Sequence, residues 1–305
     1  MDIQHLKSFL EIAKHRGFNR AAIHLNIAQS ALSRQIKQLE HELGVELFER
    51  NGRGVQTTPA GERMLVHAEL ILKHIRQARE EIIAESDQPR GELNIGFPHS
   101  LEQAIGVPLL SEFIGRYRDV QITSFTGTSI ELRERLLVGM IDLAVIGVLE
   151  PETILESHSF FRDPLYLVGP PGWAEGNDDP VAVADFADLP LLLTSRGNSL
   201  RILLENSAQR SNSRLNVALE VSSIPLTVAL IQSGTGFAVL PYTCVRDMLQ
   251  QRLLSARRLK NLSFNWVIVH SRERRLSAAG RQMVAMLQKF ATLEPSDAHR
   301  FDPAL

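Results

Sequence analysis

Between Glu11 and Glu40 the chain has no acidic residue, yet Lys14, Arg16, Arg20, Arg34 and Lys37 fall inside that window. Over its whole length there is no excess of either sign, since the formal net charge is −2. Total charge therefore gives no argument for nucleic acid, and only this local asymmetry does. Cys244 is the single cysteine, which excludes an internal disulfide and suits a reducing compartment. No run of 18 apolar residues occurs, so no membrane-spanning helix is expected. The opening stretch MDIQHLKSFLEIAKH is amphipathic and broken by charge, unlike a secretion signal, and a cytoplasmic protein is expected.

Enzyme motifs are missing too. There is no Walker loop, no His-Glu-x-x-His, no zinc-type cysteine spacing and no Gly-x-Ser-x-Gly elbow. Gly234-Thr235-Gly236 lacks a third glycine and precedes a strand, so it is no dinucleotide loop. The ten histidines are scattered, and Cys244 has no histidine beside it in sequence. No catalytic residue, metal ligand or cofactor is expected.

What is present begins with Asn19 to Leu43, which reads as two short helices with a tight joint. Ala21, Ala22 and Leu25 give the first an apolar face, and the small residues let helices cross closely. Ala31, Leu32, Ile36, Leu39 and Leu43 recur at helical spacing on the second. Asn26 stands at the joint, where a left-handed residue is needed. Gln29, Ser30, Ser33, Arg34 and Lys37 lie on the opposite side and can reach bases and phosphates; Asn19 joins them as a DNA-facing candidate. This is a helix-turn-helix pattern with a positive outer face. A preceding helix is expected over 3–15, ended by Gly17, with Phe18 plugging the core. Gly44 stops the third helix. Strands 45–50 and 55–57 around Asn51-Gly52-Arg53-Gly54 form a wing, with Arg50 and Arg53 at its tip.

Thr58, Pro59 and Glu62 open a long helix running to about Ala84. Met64, Ala68, Ile71, Ile75, Ala78 and Ile82 follow one another at intervals of 4, 3, 4, 3 and 4, a seam suited to a partner helix or to the chain's own body. Residues 86–91 read as a hinge. From Glu92 strands alternate with helices, implying α/β units on a largely parallel sheet. Two such units would leave a cleft. Ser100 follows the first strand, Thr128 and Ser129 the second, and Ser195, Arg196 and Asn198 the Leu191–Leu193 strand. Hydroxyls beside helix N-termini, and Arg196, suit a small organic anion. Residues from Glu294 show no periodicity.

The run from Leu6 to Gly61, LKSFLEIAKHRGFNRAAIHLNIAQSALSRQIKQLEHELGVELFERNGRGVQTTPAG, resembles the N-terminal region of LysR-type transcriptional regulators. Softer marks of the same family follow in GELNIG, FTGTSIELRERLLVGMIDLAVIG, ADLPLLL and LIQSGTGFAVLPY. The resemblance implies an α + α/β chain: a winged helix-turn-helix (1–60), a linker and dimerisation helix (61–88), and a bilobed α/β effector domain of periplasmic-binding-protein type (91–305). In that domain, subdomain I takes about 91–163 and 266–294, and subdomain II about 164–265. It implies a homodimer assembling to a homotetramer, promoter DNA and a small-molecule effector as partners, and RNA polymerase as a further candidate partner. By position, Gln29, Ser30, Ser33, Arg34 and the wing Arg53 would face DNA. Ser100 and Thr128 match effector-contacting positions, and the Ser195–Asn198 loop with Ile224 and Pro225 would line the same cleft. The chain departs from the family at Ser30, where proline is common, which leaves the helix start less rigid. Two alternatives stand beside this reading, a solute-binding protein and a cleft enzyme of similar α/β architecture.

Overall fold

A computed structural model describes residues 1–51, 54–83, 88–148, 154–176 and 179–293. The chain divides into two units, residues 1–86 and 87–305.

In the first unit Asp2 starts helix α1 (Ile3–His15) by accepting the amide of Gln4 at 3.3 Å. Leu6, Phe9 and Ile12 form its buried stripe. Arg16, not Gly17, takes the left-handed turn that ends it, with φ 49°. Gly17 is extended and leads into α2 (Phe18–Leu25), where Ala21 and Ala22 are buried. Phe18 is only half-buried, packing against the core 6.0 Å from the Phe48 ring. Asn26 adopts φ 55°, and its amide bonds back to Ala22 and Ile23. Helix α3 (Gln29–Leu43) buries Leu32, Ile36 and Leu39 and stops at left-handed Gly44. Ala31 and Leu43, expected on that face, are exposed, because α3 is covered along one narrow stripe.

Strands β1 (Phe48–Asn51) and β2 (Gly54–Thr57) pair antiparallel as the expected wing, starting at Phe48 rather than Val45. A Glu40 carboxylate oxygen accepts the amides of Leu47 at 2.8 Å and Phe48 at 3.3 Å, which fixes the chain's entry into the wing. Gly52, Arg53 and the first two residues of the expected 86–91 hinge lie outside the described residues. Helix α4 (Pro59–Ile83) opens with Thr58, whose hydroxyl accepts the Gly61 amide at 3.0 Å and donates to the Glu46 carbonyl at 2.7 Å.

The second unit is built on a six-stranded sheet. Its strands are β3 (Gly91–Pro98), β4 (Val120–Gly127), β5 (Leu143–Val148), β6 (Leu155–Gly169), β9 (Ala238–Pro241) and β10 (Ser255–Ser271), in the order β4-β3-β5-β10-β6-β9. Strands β7 (Leu191–Leu193) and β8 (Val217–Glu220) pair parallel, and a bridge from Leu191 to Phe237 ties them to the approach of β9. Helices α5 (Val107–Arg116), α6 (Ser129–Leu137), α7 (Ser199–Arg210), α8 (Ile224–Gln232), α9 (Tyr242–Gln250) and α10 (Ala278–Leu293) complete it.

The expected largely parallel sheet is corrected to a mixed one. β3 is parallel to β4 and β5, but β10 runs antiparallel to β5 and β6, and β6 antiparallel to β9. β6 and β10 are also longer than the short apolar pieces in the sequence suggest. Glu156, Ser157 and Arg162 are polar residues on a strand flank, and they interrupt its hydrophobic pattern without interrupting the strand. One apolar cluster includes Leu93, Phe113, Leu167, Leu191 and Leu204, so the two expected subdomains share a core along these strands.

Asp163 is buried in that shared region. Its two carboxylate oxygens accept the Thr243 amide at 3.2 Å and the Trp266 indole N–H at 3.1 Å. Burial pushes its pKa up to about 6, against the lowering effect of those donors. Because the native state holds this proton and the unfolded chain releases it near its ordinary value, stability falls as pH rises from about 4 to about 6. Above that it is flat. Relative to Asp163→Asn, the wild type should lose up to about 3 kcal/mol between those limits. Urea midpoints of both proteins at several pH values check this; parallel curves would refute it.

Candidate nucleic-acid interface and ligand pocket

α3 presents two faces with different chemistry. Leu32, Ile36 and Leu39 anchor it to α1 and α2, so Gln29, Ser30, Arg34 and Lys37 are turned outward and exposed, with Ser33 half-buried at the edge. Among the described residues neither Arg34 nor Lys37 meets an acidic partner. No side chain caps the first turn of α3, where Ala28 stands at the N-cap. Its leading amides and the positive end of its dipole are thus open to an anion. Asn19 and Arg20 are exposed on α2. The Arg50 side chain and Arg53 lie outside the described residues.

α4 uses the first part of its seam within its own unit. Met64, Ala68 and Leu72 are buried in the core with Leu6, Phe9 and Ile36, and Ile71 and Ile75 pack half-buried against it. Ala78 is exposed, and the Ile82 side chain lies outside the described residues. Beyond Leu72 the described seam residues are no longer buried, Ile75 being half-buried and Ala78 exposed.

In the second unit the sequence candidates fall into two groups. The first lies at the carboxyl ends of β3 and β4, where Pro98 and Gly127 are in register. Ser100 is half-buried in a short turn there. The Thr128 hydroxyl accepts the Glu131 amide at 3.2 Å and donates to the Glu131 carboxylate at 3.0 Å, capping α6. The backbone N–H of Thr128, and then its hydroxyl, hold the Glu131 carboxyl below its ordinary value. The Ser129 hydroxyl accepts the Gly147 amide at 2.9 Å, tying α6 to β5. Glu102, which sequence reasoning passed over, accepts the Thr126 hydroxyl and lies 4.0 Å from the His99 imidazole.

The second group surrounds the start of α7. Asn198 caps it by accepting the Leu200 amide at 2.9 Å, and Ser195 is exposed beside it. Arg196 lines a groove of about 1140 Å³ between α7 and β8, together with Arg201, Glu205 and Glu220. Ile224 lines a smaller apolar cavity of about 20 Å³ with Thr194, Arg201 and Thr227, room for a single water. Pro225 is exposed in the first turn of α8. Arg201, which belongs to both walls, was missed from sequence. It is 3% exposed, donates to Glu205 at 2.6 Å and to the Thr194 carbonyl at 3.3 Å. The available signal was its position: a cation in a helix's first turn opposes the dipole and needs a partner. Cys244 is partly covered, and loss of water around its thiol pushes it up to about 12, which leaves it unreactive.

Comparison with known proteins matches residues 3–62 to the bacterial regulatory helix-turn-helix model of the lysR family and residues 86–292 to the LysR substrate binding domain. The chain is 32% identical over 245 residues to the HTH-type transcriptional regulator DgdR of Burkholderia cepacia, covering 80% of this chain and 79% of that one. It is 31% identical over 249 residues to the nitrogen assimilation regulatory protein Nac of Escherichia coli, covering 81% of each. Among solved structures, full-length CbnR complexed with its target DNA superposes with a TM-score of 0.70 at 20% identity, over 95% of this chain and 99% of that one. Full-length BenM gives 0.58 at 21% identity, over 97% and 98%.

Proposed function

Because the chain belongs to the LysR family of DNA-binding transcriptional regulators, we propose that α3 reads promoter DNA and that a small organic anion in the effector-binding unit adjusts that reading. It is a regulator and not an enzyme, as its family and curated relatives are. The observation that carries the DNA half is the outer face of α3, where Arg34 and Lys37, without an acidic partner among the described residues, stand beside exposed Gln29 and Ser30. Arg34 and Gln29 have the reach for bidentate base contacts, and Lys37 for phosphate. Asn19, Ser33, Arg50 and Arg53 are proposed as flanking contacts.

For the effector, Arg196 supplies a cation with no acidic partner among the described residues, on a groove large enough for a small molecule. Ser100, Thr128, Ser129, Ser195, Asn198, Ile224 and Pro225, none of which lines that groove, are proposed as further effector contacts. Thr128 has two duties in this reading. Thr128→Val should cost about 1 kcal/mol through loss of the α6 cap. It should also weaken effector binding while leaving DNA affinity intact. Urea melts and calorimetry read the two separately; unchanged effector affinity would remove Thr128 from the site.

Assembly as a homodimer, and as a dimer of dimers, is proposed through the half-buried flank of α4 at Ile71 and Ile75 and its continuation at Ala78 and Ile82. Two α3 helices would then enter half-sites one helical turn apart, roughly 34–36 Å. RNA polymerase is the proposed recipient of the signal, in the cytoplasm where the promoter is. No helix among the described residues is long and apolar enough to cross a membrane. The test is binding to the DNA upstream of its own gene with and without a metabolite library. An effector should change the affinity about 5- to 150-fold, and DNA should change effector affinity by the same factor. DNA binding that no metabolite alters would remove the effector half of this reading.

A further inference from the structure

Three side chains of the DNA-binding unit converge without satisfying one another. Glu11 and His15 are one turn apart on α1, and His24 comes from α2. The His15 Nε2 lies 3.2 Å from a Glu11 carboxylate oxygen, and the His24 Nδ1 lies 3.5 Å from the same oxygen. The two imidazole rings face one another at 4.8 Å, tilted by 35°. The Glu11 oxygen and the His15 Nε2 are both shut off from water, and neither finds a hydrogen bond of acceptable geometry among the described residues. Burying two such groups at ion-pair distance but without a hydrogen bond is costly. All three ligand atoms lie within 4.8 Å of one another.

We propose that Glu11, His15 and His24 hold a late first-row divalent cation, with Zn²⁺ as the fitting probe. Tetrahedral zinc with nitrogen and oxygen ligands at about 2.0–2.2 Å sets its ligands about 3.3–3.6 Å apart, and the two carboxylate–imidazole distances, 3.2 and 3.5 Å, lie close to that separation. A set of two imidazoles and one carboxylate suits zinc and its neighbours, whereas Ca²⁺ and Mg²⁺ take oxygen ligands. The fourth position is left to water. His24 is 61% exposed at its side chain, so its ring can swing to admit the ion and complete the set. The bound cation staples α1 to α2, the helix that leads directly into α3.

A second cluster, Glu156, His158 and His270, differs in kind. Its two imidazole Nε2 atoms bond each other at 3.2 Å, and the His270 Nδ1 lies 3.1 Å from the Ser271 carbonyl. This pair is satisfied without a cation and serves as the internal control. The experiment titrates the untagged full chain with Zn²⁺ against a chromophoric chelator and follows the thermal midpoint in parallel. Wild type should bind an equivalent that His24→Ala and Glu11→Gln weaken roughly tenfold or more, and that His158→Ala retains. The zinc-induced rise in thermal midpoint should vanish in the same two variants. Circular dichroism verifies that they stay folded. Wild-type binding no stronger than that of His24→Ala, or loss of zinc only in His158→Ala, would overturn the assignment.

Discussion

Replacing Arg34 with alanine should leave the protein folded and still attached to DNA, but less selective at the base pair it reads. Arg34 is exposed on the side of α3 opposite Leu32, Ile36 and Leu39, so its removal opens no cavity. A bidentate arginine–guanine contact contributes roughly 1–3 kcal/mol of discrimination, so the preference for the correct base should fall about 5- to 150-fold at one operator position. Lys37→Ala should behave differently. Loss of a phosphate contact weakens all sequences alike and lowers the slope of log affinity against log salt by about one. A gel-shift panel of operator variants, run with both proteins at two salt concentrations, separates these outcomes. Unchanged selectivity in Arg34→Ala would remove α3 from its proposed role.

Gly61→Ala should unfold or severely weaken the DNA-binding unit, although alanine is ordinarily the better helix former by about 1 kcal/mol. A Cβ at Gly61 would sit 2.2 Å from the Leu47 carbonyl oxygen and 3.2 Å from both the Leu47 carbonyl carbon and the Thr57 Cβ. That oxygen cannot give way. It accepts the Thr58 amide at 3.0 Å, the Leu47 amide is held by Glu40, and the Leu47 side chain is buried. The first turn of α4 thus rests directly on the backbone entering the wing. Overpacking against backbone should cost about 3 kcal/mol or more, with DNA binding lost alongside. Gly115, in α5, is the matched control, since a Cβ there meets nothing within 4 Å among the described residues. Gly115→Ala should stabilise by about 0.5–1 kcal/mol. Urea midpoints of the two variants should move in opposite directions; a Gly61→Ala midpoint at or above wild type would refute the close approach.

The DNA-binding unit was legible because its signals are local. Helical spacing located α1 to α3, and Asn26, Gly44 and Thr58 end or open helices by conformations and caps that their side chains favour. The fate of Met64 and Ala68 was not legible. A stripe at that period fits the chain's own core as well as a second helix, and sequence does not say which body arrives to cover it. Strand direction is likewise absent from local pattern, so the antiparallel pairing of β10 and the full length of β6 emerged only in the fold. Helix α9 went unread because its buried residues are few, Thr243 and Val245 among them. For the ligand pocket, serine, threonine and asparagine at strand ends were readable. That Thr128, Ser129 and Asn198 spend their polar groups on backbone and cap bonds was not. Glu11 and His15 sit one helical turn apart in sequence, but His24 joins them only because α2 folds back on α1.

The most direct measurement is a footprint of the full chain on the DNA upstream of its gene, taken across a salt series. Two protected segments one helical turn apart are expected, bound with an affinity that falls steeply as salt rises. Uniform, weak protection with no preferred segment on any promoter tried would contradict it.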